Sequence, residues 1–125
     1  MQDAARPFST LALFSAVLDA ARETGCAGAF IDPEVPVARL RDGRVEAVLR
    51  RDEVGVFQSP QVFSRDAMRD MLRHALEHGF KPQSTMQLAI DAGIAVAAVA
   101  GEKSNIKITT PEDWCHAVLL EEYLQ

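Results

Sequence analysis

Lys107 stands in the segment Asn105-Ile-Lys-Ile-Thr-Thr-Pro-Glu-Asp113, directly ahead of what reads as a capped helix start. Thr110 suits the cap, Pro111 the first helical position, and Glu112 and Asp113 the acidic first turn. A helix N-terminus in an α/β protein attracts anions, because unpaired N–H groups and the positive dipole end face outward. Lys107 either joins such a site or is an ordinary surface lysine beside a cap. Near the other end of the chain, Asp3 and Arg6 bracket Ala4 and Ala5, residues small enough to let a ligand approach. The Asp3 carboxylate suits a substrate hydroxyl or a magnesium ion, and the Arg6 fork suits a phosphate. The plainer alternative is a surface ion pair in a loop. A third group, Arg50-Arg51-Asp52, precedes Gln58-Ser-Pro-Gln-Val-Phe63. Its arginines match phosphate oxygens, or they keep a sheet edge soluble.

Other reactive side chains form no such group. His74 and His78 are four apart on a helix, but no third ligand lies nearby in sequence, which favours a solvated face over zinc. Trp114 reads as packing, and Met68, Met71 and Met86 as core fillers. Cys26 and Cys115 are far apart and read as buried, inert free thiols.

These residues need elements to hold them. Ser9 to Thr24 reads as a helix with Leu11, Phe14, Val17, Leu18 and Ala21 as its apolar stripe, a Ser9 or Thr10 cap, and Gly25 as its stop. Cys26 to Ile31 is a short apolar run that fits a buried strand. Val37-Ala-Arg-Leu-Arg41 and Arg44-Val-Glu-Ala-Val-Leu49 alternate in polarity around Asp42-Gly43, a strong hairpin signal. Such a hairpin cannot stand alone and must pack against something, a partner subunit included. Ser64 to His78 reads as a second helix, with Met68, Met71, Leu72 and Ala75 on one face. Ser84-Thr-Met-Gln87 has the form of a capping box and opens a third, ending near Gly93. Ile94 to Ala100 reads as a buried strand, Ile106 to Ile108 as a short extended segment, and a last helix runs to about Tyr123. Strands alternating with helices predict one layered α/β sandwich over residues 1–125, with a projecting hairpin arm over 35–57.

Composition narrows the function. In 125 residues, 18 acidic side chains outnumber 13 basic ones, for a net charge of −5. That balance opposes a general binder of DNA or RNA, yet a local cluster of cations can still hold a small anion. The longest apolar-leaning run, Ile94 to Gly101, is far too short to span a bilayer, and a soluble cytoplasmic protein is expected.

Three segments in this order, Asp-Ala-Ala-Arg-Pro at 3–7, Ser-Pro-Gln-Val-Phe at 59–63 and the Lys107 segment at 105–113, resemble the cytidylyltransferases of isoprenoid-precursor and polyol-phosphate biosynthesis. The family comprises methylerythritol-phosphate and ribitol-phosphate enzymes, and Ser84-Thr-Met-Gln-Leu-Ala leans slightly to the ribitol branch. The resemblance implies part of a Rossmann-like nucleotidyltransferase sandwich and CMP transfer from CTP to a polyol phosphate, with magnesium. It implies that Lys107 faces the reacting phosphates. Asp3 would contact polyol hydroxyls near the metal, Arg6 would line the same pocket, and Ser59 would touch substrate. Arg51 would reach the substrate phosphate in the other subunit of an arm-linked homodimer. Where the family carries His before Asp-Ala-Ala-Arg, this chain has Gln2; Val35-Pro36 replaces an Asp-Thr pair, and Gln83-Ser84 a Thr-Asp pair. No Gly-rich phosphate loop occurs in the sequence, so the resemblance implies transfer that is incomplete in this chain alone, with a partner supplying the N-terminal half. The alternative expectation is a non-catalytic dimerisation or regulatory module derived from the same family.

Overall fold

Hydroxyl residues start the helices, and glycines cap the ends of two of them. The computed structural model describes residues 1–79 and 81–124. Thr10 caps α1 (Leu11–Thr24) by accepting from the Leu13 N–H, and Ser64 caps α2 (Arg65–His78) by accepting from Ala67. Ser84 caps α3 (Thr85–Asp91) through Gln87 N–H, but the Gln87 side chain turns to Asp91, so only half of the expected capping box forms. At α4 (Pro111–Leu124) the box is complete: Asp113 N–H donates to Thr110 Oγ1, and the Asp113 carboxylate accepts from the N–H of Thr110 and of Thr109.

Two sheets form. β1 (Cys26–Ile31) is central in the larger one, flanked by antiparallel β4 (Val56–Phe63) and parallel β5 (Ala97–Ala100). The arm is a separate pair, β2 (Val37–Arg41) and β3 (Arg44–Leu49). Asp42 and Gly43 both take positive φ, 49° and 75°, as a two-residue hairpin turn requires. A short 3-10 turn, Arg51–Glu53, follows, and β4 begins at Val56, so the last two residues of the 35–57 span belong to the main sheet.

Alternation along β1 builds two cores. Ala27 and Ala29 face α1 and pack with Leu13, Val17 and Ala21. Cys26 points the other way, to Met71 of α2 and Met86, Leu88 and Ala89 of α3. The result is a helix–sheet–helix sandwich, in agreement with the α/β expectation.

Several expectations change. The buried stripe of α1 runs Leu13–Val17–Ala21, while Leu11 is 86% exposed; two residues turn a helix by about 200°, which sets Leu11 opposite Leu13. The strand expected over Ile94–Ala100 covers only Ala97–Ala100 and is half-buried, as an edge strand of its sheet. Ile106–Ile108 forms no strand and is tied instead by Ile108 N–H to the Ala5 carbonyl at 2.8 Å. Trp114 is 62% exposed, since α4 buries only Ala117, and Cys115 is exposed too. β4 itself was concealed by Pro60, which lies where the β1–β4 register shifts and so costs no ladder hydrogen bond.

Candidate functional site

The loop ahead of α1 folds back on the turn that precedes α4. Asp3 and Arg6 close a turn through Arg6 N–H to the Asp3 carbonyl at 3.1 Å. Asp3 N–H then donates to Ser59 Oγ on β4 at 3.0 Å. Gln2 braces this loop by donating to Ser9 Oγ at 2.7 Å and to the Arg6 carbonyl at 3.3 Å. Asp3, Arg6, Ser59 and Lys107 share one cavity of about 330 Å³, together with Gln61 and Gln83 to Thr85. Four of the five site residues expected from sequence therefore meet in space.

Their charges interlock. Asp3 Oδ2 lies 3.2 Å from Lys107 Nζ and 3.3 Å from Arg6 Nε. Partial burial pushes the Asp3 carboxyl up, but the hydrogen bonds and charges of Lys107, then Arg6, outweigh it and hold it below the ordinary carboxylate range. Arg6 has little left to offer a ligand: Nη1 donates to the Asn105 carbonyl at 2.6 Å and Nη2 to the Phe57 carbonyl at 3.3 Å. Its side chain is 11% exposed, against 46% for Lys107. Among the described residues Lys107 is thus the side-chain cation most open at the cavity, and Arg6 mainly fixes the loop and the local field.

Arg51 stands apart. It lines a different and larger cavity of about 490 Å³ with Glu34 and Lys103, and donates to the Glu34 carbonyl at 3.4 Å. The Lys103 ammonium there already pairs with Glu34 at 3.0 Å. We assign the ligand site to the smaller cavity, where the loops converge and Lys107 is exposed, rather than to this one. Within one subunit the structure does not bring Arg51 to Lys107.

This chain offers magnesium a single carboxylate rather than a complete cage. Among the described residues no three His, Cys, Asp or Glu side chains gather around one point. Asp3 is the carboxylate in the cavity, and its Oδ2 already faces two cations. Magnesium usually takes one or two carboxylates plus phosphate oxygens and water, so Asp3 fits it as a partial ligand beside a bound phosphate.

Two site residues escaped the sequence reading. Gln58 on β4 and Asn105 are buried amides that join the two loops. Asn105 opens the Lys107 segment, which could have marked it; nothing in the pattern around Gln58 does.

A helix–sheet–helix sandwich whose loops hold a carboxylate against an exposed lysine is an α/β fold, and its likeness to solved structures places it with the nucleotidyltransferase-type folds. Two solved structures superimpose on it, 4-diphosphocytidyl-2C-methyl-D-erythritol synthase from Anaerococcus prevotii and 2-C-methyl-D-erythritol 4-phosphate cytidylyltransferase from Thermus thermophilus. The first gives a TM-score of 0.85 at 32% identity over 99% of this chain and 57% of that one. The second gives 0.82 at 30% identity over 96% and 60%. The chain belongs to the 2-C-methyl-D-erythritol 4-phosphate cytidylyltransferase family, whose sequence profile matches residues 1–123. A curated member from Syntrophus aciditrophicus is 32% identical over 126 residues, covering all of this chain and 53% of that protein. The chain spans about half the length of the curated relatives it matches. No helix among the described residues is long and apolar enough to cross a membrane.

Proposed function

We propose that this chain carries the polyol-phosphate half of a cytidylyltransferase site, serving CMP transfer from CTP to 2-C-methyl-D-erythritol 4-phosphate. The observation that carries this reading is the exposed Lys107 ammonium 3.2 Å from Asp3, in a cavity shared with Ser59. In the reaction a phosphate oxygen of the polyol phosphate attacks the α-phosphorus of CTP. One P–O bond forms, the bond to the β-phosphate breaks, and pyrophosphate leaves. Such chemistry needs positioning and charge compensation more than covalent help from the protein. Lys107 offsets negative charge on the reacting phosphates, and Asp3, kept ionised by its cations, accepts hydrogen bonds from polyol hydroxyls. Asp3 is the residue of this chain that would help hold a magnesium ion arriving with the triphosphate, and the ion would offset phosphate charge.

The arm completes the site in a homodimer. Leu40, Val45 and Val48 on it are each about two-thirds exposed or more (67%, 65% and 71%), more apolar surface than a lone hairpin tolerates. Packed on a second copy, the arm delivers Arg51 to the partner's substrate phosphate, and each site takes residues from both chains. The same exposed arm favours a second reading, a non-catalytic dimerisation module.

Joining to this chain the part of the Syntrophus relative that it does not cover separates the two. CMP transfer that depends on methylerythritol phosphate and disappears with Lys107→Ala supports the enzyme reading. A folded, dimeric fusion that releases no pyrophosphate from CTP with either methylerythritol phosphate or ribitol phosphate leaves the dimerisation module.

A further inference from the structure

Asn105 is fully buried, and its side chain is not an ordinary core amide. Nδ2 donates to the Ser59 carbonyl at 2.7 Å and to Gln58 Oε1 at 3.3 Å, while Oδ1 accepts from Ser9 Oγ at 2.7 Å. Gln58, 4% exposed, answers from β4: Nε2 donates to the carbonyls of Glu102 at 2.9 Å and Asn105 at 3.4 Å. Its Oε1 also accepts from Glu102 N–H at 3.2 Å. Two amides thus interlock between β4, the 101–105 turn and the loop ahead of α1. Buried amides with this many partners are expensive to displace, because each freed donor or acceptor is left without water.

We propose that Gln58 and Asn105 are the positioning residues of the cation pair. The Asn105 carbonyl receives Arg6 Nη1 at 2.6 Å, so the clamp fixes the guanidinium directly and, through its Nε, the Asp3 carboxylate. Lys107 follows Asn105 by two residues, and the bond from Ile108 N–H to Ala5 ties the far side of the same turn to the same loop. Between these ties the backbone of Lys107 has little freedom, which sets its ammonium against Asp3. The clamp therefore couples an anchor on the sheet to the geometry of both cations, with Gln58 at the wall of the cavity and Asn105 behind it.

The value of that coupling for binding rests on the functional reading above, whereas the clamp itself has its own readout. Asn105→Ala and Gln58→Met are made in the full chain; the second keeps the side-chain volume, so a folded variant is available if the first unfolds. The Arg6 Nε–H signal is followed by ¹⁵N NMR at neutral pH, and 2-C-methyl-D-erythritol 4-phosphate is titrated by calorimetry. A clamp that positions the cations predicts a protected Arg6 Nε–H in the unaltered chain and its loss to solvent exchange in the folded variants. Affinity should weaken about tenfold, the scale of one charge-assisted contact. A folded Gln58→Met chain with the Arg6 signal and affinity unchanged overturns the proposal, as does an Arg6 signal unprotected at the outset. If the unaltered chain shows the protected signal but binds no polyol phosphate, the functional reading fails, and the NMR comparison alone decides the clamp.

Discussion

Gly101→Ala is the most incisive single perturbation of the loop junction. A Cβ at Gly101 would overlap Gln58 Oε1 and would lie 3.0 Å from the Phe30 carbonyl oxygen and 3.1 Å from Ile31 Cγ2. The Phe30 carbonyl cannot retreat easily, because it accepts the Gly101 N–H at 2.6 Å. Gln58 must therefore move, and with it the acceptor of Glu102 N–H and Asn105 Nδ2. Overpacking of this kind costs about 1–3 kcal/mol, and each donor left unpaired in a buried place adds about 1–3 kcal/mol. Asn105 Nδ2 keeps the Ser59 carbonyl, so Glu102 N–H is the one donor stranded. The total is then on the order of 2–6 kcal/mol, and at roughly 4 °C per kcal/mol for a domain of this size the melting temperature falls by about 8–24 °C. Gly28→Ala is the control. Its Cβ would overlap Met86 Cε, the tip of a flexible side chain that can swing aside. Thermal unfolding followed by circular dichroism should rank Gly101→Ala far below Gly28→Ala. Equal melting temperatures would mean that Gln58 is not held as described.

Three further outcomes follow from local chemistry. Ser64→Ala removes the acceptor for Ala67 N–H and should cost about 1 kcal/mol, read by urea unfolding, with no change in the slope. Asp113 is held down to about 2, from 3.8, first by the Thr109 N–H and hydroxyl and then by the Thr110 N–H. A folded pKa below the unfolded one gives stability that is present above 3.8 and lost as pH falls toward 2, so Asp113→Asn should flatten the stability profile across that window. Burial lifts the Cys26 thiol to about 11, whereas Cys115 is exposed; iodoacetamide at pH 8 should label Cys115 alone in the native chain and both in denaturant, as read by mass spectrometry.

Much of the fold was legible because local chemistry fixes it. Asp42-Gly43 between alternating runs could only be a hairpin turn, and Thr110 with Asp113 could only start a helix. The β4 strand was not legible, since Pro60 masks its pattern and only the irregular pairing with β1 makes room for it. Burial was read too generously wherever a whole face lacks a neighbour, as at Leu11, Trp114 and the outer strand β5. Periodicity reports which side of an element is apolar, not whether anything covers it. In the site, charged residues at the ends of motifs announced Asp3, Arg6 and Lys107, but the amides that hold them come from contacts 44 to 47 residues apart, which no local pattern encodes.

The most direct measurement is a calorimetric titration of this chain with 2-C-methyl-D-erythritol 4-phosphate, beside the Lys107→Met variant and with inorganic phosphate as the control ligand. Saturable binding that prefers the polyol phosphate and is lost in Lys107→Met is predicted. Binding that is absent, or that Lys107→Met leaves unchanged, would contradict a polyol-phosphate site at Asp3 and Lys107.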